Sequence, residues 1–294
     1  MLCLPIKKSN PANLQSLAMP KSHEKYLPQR IVCLTEETTE TLYLLGEEAR
    51  IVGVSTFTVR PARAKKEKPT VSSFIDAHTR KILDLKPDLV IGYSDIQANI
   101  AQELIKKGIT VWVNNYRDIE GIKSMIFQLG VLVGQQKKAE KLLQTITQKM
   151  EAIALEVSHW NHKPKVYFEE WDSPMISAIL WVSEIIALAG GVNVFADLGE
   201  SSLAKDRILK DTDEVLRKNP DIILASWCGK KFNKQELIQR KGWEAINAVK
   251  YNRIYEIPSE IILQPGPASV LDGLDAIHAI FKSWHQNQTE QINR

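Results

Sequence analysis

The chain is 294 residues long, room for one large core or two ordinary ones. An apolar fraction of 44% and a charged fraction of 25% describe an ordinary globular protein. The net charge of +3 comes from interspersed bases and acids, which excludes the basic face of a nucleic-acid or anionic-membrane binder, and no apolar run reaches membrane-span length.

Residues 1–29 read as a disordered or loosely attached arm, with Lys7, Lys8, Lys21 and Lys25 among several Pro and Asn. This arm has no continuous apolar segment of about 7–15 residues, the centre of a secretory signal. Cys3 comes too early to follow such a segment as a lipoprotein cysteine does. The three cysteines, Cys3, Cys33 and Cys228, lie far apart, an odd count that suits a reducing compartment. A cytoplasmic protein is therefore expected. The alternative is a periplasmic one whose start is misassigned or whose signal has been removed.

A first α/β lobe is expected over 30–134. Residues 30–34 form a strand, with Cys33 as a buried, inert thiol. Residues 38–45 form a helix closed by Gly46, and 51–54 a second strand. A basic loop follows over 56–70. A helix over 76–85 leads to a strand at 89–92, and a helix over 96–107, stopped by Gly108, to a strand at 109–113. This alternation predicts a parallel sheet with right-handed crossovers. Residues 118–134 carry a helical stripe of Ile119, Ile122, Ile126 and Leu129.

Residues 135–160 contain no Gly or Pro, and Ala139, Leu142, Leu143, Ile146, Met150 and Ile153 keep helical spacing. A helix there would be on the order of 40 Å long, enough to bridge two lobes. The second lobe, over 161–294, repeats the plan. Strands are expected at 165–168, 222–225 and 253–257. Helices are expected at 179–189, 211–217 and 243–249, with a terminal helix over 268–284.

The repetition shows in the residues. Lys86-Pro87-Asp88-Leu89-Val90-Ile91-Gly92 recurs as Asn219-Pro220-Asp221-Ile222-Ile223-Leu224-Ala225. In each, Pro sets φ, Asp caps, and a β-branched run reads as a buried strand. Ile31-Val32-Cys33-Leu34 before Thr35-Glu36-Glu37 is matched by Val166-Tyr167-Phe168 before Glu169-Glu170-Trp171. Two similar lobes imply a cleft between them, a usual place for a ligand.

In open α/β sheets ligands collect at the carboxyl ends of the strands. Those ends supply Glu36, Glu37, Phe57, Tyr93, Ser94, Asp95, Asn115 and Tyr116 from the first lobe. The second supplies Glu169, Glu170, Trp171, Trp227, Cys228 and Glu260. Aromatic and polar together, they suit a large ligand with a flat apolar body and a hydrogen-bonding rim. Phe57, Tyr93, Trp171, Trp181 and Trp227 offer flat contact area; Glu36, Glu169, Ser94, Asp95 and Asn115 offer polar contacts. Metal capture is poorly supported, because none of the six His follows a predicted strand. Hydrolysis is weakly supported. Glu36, Glu37, Glu169 and Glu170 could face one another as acid and base, but they sit at equivalent turns of a repeat. No Gly-x-Ser-x-Gly elbow or Gly-x-x-x-x-Gly-Lys-Ser/Thr loop is present.

A series of motifs carries a family resemblance. In the first lobe these are Arg30-Ile31-Val32-Cys33-Leu34, Glu40-x-Leu42-Tyr43-x-Leu45-Gly46, Ile51-Val52-Gly53-Val54-Ser55 and Ile82-Leu83-x-Leu85-Lys86-Pro87-Asp88-Leu89-Val90. Gly108-Ile109-x-Val111, Trp181-Val182-Ser183-Glu184, Ala189-Gly190-Gly191, Val215-Leu216 and Pro220-Asp221 follow in order. Together they resemble the vitamin B12 and ferric-siderophore solute-binding proteins of ABC importers, and within them the cobalamin-binding branch. The resemblance implies two α/β lobes with parallel sheets joined by one long helix. It implies a non-catalytic monomer that needs no cofactor and holds a cobalamin-like corrinoid in its cleft. It also implies an importer membrane subunit as partner, met by an exposed Glu on each lobe; here those places hold Arg80 and Asp213. No nucleic-acid partner is expected. Two alternatives stand beside this reading. One is a ferric-siderophore receptor, with Arg60, Arg63 and Lys65 reaching over the cleft. The other is a cytoplasmic cofactor-handling protein or enzyme on the same lobes, worked by Glu36 and Glu169.

Overall fold

The computed structural model describes residues 24–201 and 203–292. Most of the expected arm, residues 1–23 with Cys3 and His23, lies outside the described residues. Its last residues are tied down. Glu24–Tyr26 forms a helical turn, Arg50 donates to Pro28 O at 2.7 Å, and Gln29 N donates to Asp88 at 2.7 Å.

The first sheet contains β1 (Ile31–Cys33), β2 (Ile51–Ser55), β3 (Thr70–Ser72), β4 (Leu89–Tyr93) and β5 (Val111–Asn114). Its order is β3-β2-β1-β4-β5, and every neighbouring pair is parallel. The chain moves outward from β1 to β3, then returns to lay β4 on the other side of β1. That reversal opens a crevice at the carboxyl ends of β1 and β4. The second sheet contains β6 (Lys165–Asp172), β7 (Met175–Ser177), β8 (Val192–Asn193), β9 (Ile222–Ala225) and β10 (Ile254–Glu256). Its order is β10-β9-β6-β7, with β8 paired to the start of β6. Only β7 is antiparallel to its neighbour in this sheet.

Three local differences from the expected elements bear on the cleft. β3 emerges from the expected basic loop; three residues are too few for a period to show. β7 folds back on β6, pairing Glu169 with Ser177 and Asp172 with Met175. Glu169, Glu170 and Trp171 therefore lie inside a strand rather than in a loop beyond it. Glu36 and Glu37 open the helix Glu36–Leu44 behind an extended Thr35. Acidic residues in a first turn are favoured by the helix dipole.

The repeated Pro-Asp turn has a structural role in each lobe. Lys86 and Asn219, at φ 48 and 44, take the left-handed conformation that ends the preceding helix. The following Asp does not cap its own strand. Asp88 accepts from the backbone N–H of Gln29 and Arg30, where β1 begins. Asp221 accepts from the N–H of Lys165, where β6 begins, at 3.0 Å. Each motif thus sets the register of the central strand beside it.

The helix Gln136–Ser158 has 23 residues, about 35 Å of length. Its apolar stripe, Ala139, Ile146, Ile153 and Val157, is buried. Near its start Lys138 Nζ donates to Leu45 O at 2.7 Å. Further along it meets the terminal helix Leu274–Ile292 through Lys149–Asp275 and Glu156–Lys282. One apolar cluster runs continuously from Ile31 and Ile91 through Ile126, Ile146 and Ile153 to Phe168, Ile185 and Phe281. Both sheets share this core, so relative motion of the lobes would disturb packed apolar surface. No helix among the described residues is long and apolar enough to cross a membrane.

Candidate functional site

The strand ends of the two sheets meet along a junction closed by residues 260–272. Tyr116 Oη donates to Pro265 O at 2.7 Å, and Ala268 N donates to Glu40 at 3.1 Å. Arg60 joins Glu40 at 2.8 Å to Asp272 at 2.5 Å. Gly266 lies so close to Glu37 that a Cβ there would sit 2.5 Å from Glu37 Cβ, which is why only Gly fits.

On the first lobe, Glu36 is 6% exposed and its Oε2 has no hydrogen-bond partner. Burial, then the neighbouring Glu37, pushes its carboxyl up to about 8; Glu260 and Glu40 add to this, and the backbone of Val59 opposes it. Glu37 is buried and accepts from Thr35 Oγ1. Burial pushes its carboxyl up to about 7. Ser94 takes a left-handed φ of 57, with its Oγ accepting from Ile96 N. Tyr93 Oη donates to Tyr116 O at 2.5 Å. Arg117 lies over the Tyr93 ring and pairs with Asp95 at 3.1 Å. Asn115 is exposed, and Phe57, at 45% exposure, stands open at the rim.

On the second lobe the candidates are more heavily engaged. Glu169 is fully buried and takes both guanidinium nitrogens of Arg240, Trp227 Nε1 at 3.0 Å and Tyr167 Oη at 3.0 Å. Glu170 takes Arg207 in the same two-pronged way. Trp227 is 4% exposed, with Lys230 over its ring and Phe232 at its edge. Trp171 is half-buried, its Nε1 donating to Ser173 O at 2.9 Å. Cys228 is exposed as a residue, but the protein packed around its thiol partly desolvates it, and this, with the charges of Glu170 and Glu36, raises the thiol's pKa. That Glu36 and Glu170 both act on this thiol places the two lobes face to face around it.

Two of the expected contact residues are engaged within the protein itself. The Glu169 carboxylate is saturated by three partners making four hydrogen bonds, the pairing a buried charge needs. Trp181 sits in the core beneath the strand ends. It is 4% exposed, and its N–H groups donate to Arg117 O and Ile262 O. The basic residues expected to reach over the cleft are also occupied. Arg60 is held as above, Arg63 pairs with Glu48 and Glu67, and Lys65 donates to Thr56 O.

Sequence reading placed Glu260 at a strand end but missed Arg117, Arg207, Arg240 and Glu40. No local pattern marks them: Arg240 lies 71 residues from the carboxylate it holds. It also missed Gln97, whose amide fixes Tyr93 N and Phe74 O. A cavity of about 520 Å³ lies alongside the Glu36–Leu44 helix, walled by Tyr43, Leu44, Arg60, Pro61 and Glu260. It shares Glu40 and Glu260 with the junction but none of the expected aromatics. Among the described residues no three His, Cys, Asp or Glu are grouped to hold a metal. His278 and His285 instead stack on Trp160.

A family model described as periplasmic binding protein matches residues 31–261. The chain belongs to this family. An ABC transporter substrate-binding lipoprotein of Bacillus subtilis is 28% identical over 85% of this chain and 79% of its own length. A vitamin B12-binding protein of Vibrio cholerae is 25% identical over 86% of this chain and 87% of its own. Among solved structures, a periplasmic heme-binding protein of Roseiflexus superposes with a TM-score of 0.75 at 22% identity, covering 86% of this chain and 98% of that one. That last likeness shows the fold: two α/β lobes with a long connecting helix.

As a periplasmic binding protein the chain is a solute-binding protein, not an enzyme. The expected cytoplasmic location is overturned by the same findings, which point outside the cytoplasmic membrane. The cysteine argument failed for a physical reason. Cys33 is buried in β1 and its thiol is pushed up to about 12, so it is inert in an oxidising compartment as well.

Proposed function

We propose that the protein is the ligand-capturing component of an ABC importer and that its ligand is a cobalamin-like corrinoid held between the strand ends. The charge of the site carries this reading. Glu36, Glu37, Glu40 and Glu260 gather on one side. The arginines that reach the strand-end residues, Arg60, Arg117, Arg207 and Arg240, are each paired with a carboxylate. Heme propionates or an anionic ferric siderophore would meet acids with few free counter-charges. A corrin ring carries neutral amide side groups, which buried carboxyls can bind without a charge to neutralise. Phe57 and Trp171 are the aromatic surfaces left open to such a ring, Asp95, Asn115 and Glu170 the polar groups beside them. Trp227 and Cys228 form the facing turn. The vitamin B12-binding relatives support the choice.

Asp213 and Arg80, both exposed, are the positions proposed to face the membrane subunit. A partner with a basic group opposite Asp213 and an acidic one opposite Arg80 follows from charge complementarity.

Titration of the purified protein with cyanocobalamin, followed by corrin absorbance and tryptophan fluorescence, tests the ligand. Saturable one-to-one binding in about the micromolar range or tighter is expected, with Trp171→Ala weakening it by about 1–3 kcal/mol. Tight binding of heme or a ferric siderophore, with none of cyanocobalamin, overturns the reading.

A further inference from the structure

Several buried polar atoms at the strand ends have no hydrogen-bond partner, Thr58 Oγ1, Ser72 Oγ, Asn114 Nδ2 and Ser226 Oγ among them, but among the described residues Glu36 is the one carboxyl in that state. Glu36 Oε2 is buried and unpartnered, in a side chain 6% exposed. Its surroundings are acidic or neutral on every side. From its own helix come Glu37 and Glu40, from the segment after β2 the backbone of Val59, and from the helix Ser259–Ile262 comes Glu260. Across the cleft, Cys228 lies within reach of both Glu36 and Glu170. The arginines that pair with Glu40 and Glu170 are already engaged. Arg60 is divided between Glu40 and Asp272, and Arg207 is held by Glu170. A negative charge on Glu36 would be largely desolvated and beside other carboxyls, with only the Val59 backbone hydrogen bond to favour it.

We propose that Glu36 carries a proton in the ligand-free protein and that its carboxyl O–H donates to a carbonyl oxygen of a neutral amide group on the ligand, so that capture is linked to this one proton. The ligand class rests on the corrinoid reading above; the proton does not. Once the proton leaves, the donor becomes a second acceptor facing the ligand oxygen. Affinity is therefore full below the pH at which free Glu36 ionises and falls above it, by up to about tenfold per pH unit. A cationic ligand group would give the opposite slope.

Two measurements test this. The first is a carbon-13 NMR titration of the glutamate carboxyls in the ligand-free protein between pH 5 and 10. It is expected to show a carboxyl ionising near 8 that is missing in Glu36→Gln. If the resonance lost in that variant ionises below about pH 6, as an ordinary carboxyl does, the proposal falls. The second is the affinity for cyanocobalamin across the same range. Wild-type affinity is expected to fall about tenfold or more between pH 7 and 9.5. Glu36→Gln, whose amide donates at every pH, is expected to lose that slope and to bind more tightly than wild type at pH 9.5. A flat wild-type profile, a rising one, or a slope that survives in Glu36→Gln overturns the linkage. Failure of cyanocobalamin to bind at any pH strikes the corrinoid reading instead, and the NMR titration still decides where the proton sits.

Discussion

Replacing Arg240 with Ala isolates the buried ion pair beneath the second lobe's cleft wall. Glu169 has no exposed side-chain surface, and Arg240 is itself only one-fifth exposed. The guanidinium makes two of the four hydrogen bonds to this carboxylate and lies 4.6 Å above the Trp243 ring. Its removal leaves a buried carboxylate with only Trp227 Nε1 and Tyr167 Oη. Breaking one side of such a pair costs about 3–5 kcal/mol, and the lost stacking on Trp243 adds about 0.5–1 kcal/mol. Against a total stability of about 5–15 kcal/mol, that is a large fraction. Urea unfolding at pH 7, followed by circular dichroism and tryptophan fluorescence, reads it directly. A second variant separates charge from shape. Arg240→Met with Glu169→Gln removes both charges, and most of the loss is expected to be recovered. A loss below about 1 kcal/mol for Arg240→Ala, the size measured for exposed pairs, would refute the idea that this pair is desolvated and holds the Trp227 turn in place.

Three further outcomes follow from the same geometry. The carboxyls of Glu36 and Glu37, at about 8 and about 7 against an ordinary 4.5, hold more protons folded than unfolded between those values. Their contribution to stability is therefore fully present below about pH 4.5 and is lost as pH rises towards 8. Denaturation midpoints across that range should fall less steeply in a Glu36→Gln, Glu37→Gln variant; an unchanged slope would count against it. Gly266→Ala forces a methyl to 2.5 Å from Glu37 Cβ. It is expected to cost about 1–3 kcal/mol by overcrowding the junction, read by the thermal midpoint, and an unchanged midpoint would show that the lobes part easily there. Asp221→Ala removes the acceptor for Lys165 N. It should lower stability by about 1 kcal/mol or more and speed exchange of the β6 amides, as Asp88→Ala should for β1.

Much of this was legible in the chain alone. The Pro-Asp repeat, with Lys86–Gly92 echoed at Asn219–Ala225, marked two equivalent strands. The stripe from Ala139 to Ile153 marked the helix between them. Both rest on local rules: φ is set by the residue itself, and burial repeats with the period of the element. Strand-end positions such as Phe57, Tyr93 and Asn115 could be named because parallel α/β topology sends all strands towards one edge.

Which of those residues remain free was decided only in three dimensions. Glu36 and Glu169 look equivalent in sequence, each opening an acidic pair after a central strand. In the structure one keeps an oxygen without a partner, while the other is consumed by Arg240 from 71 residues away. Trp181 reads as an aromatic ligand contact until the end of the helix Ser259–Ile262 sets Ile262 O against its indole N–H. A carboxyl's protonation and an indole's exposure depend on which distant groups displace water from them. That information is carried by the packing of the two lobes, not by the spacing of residues along the chain.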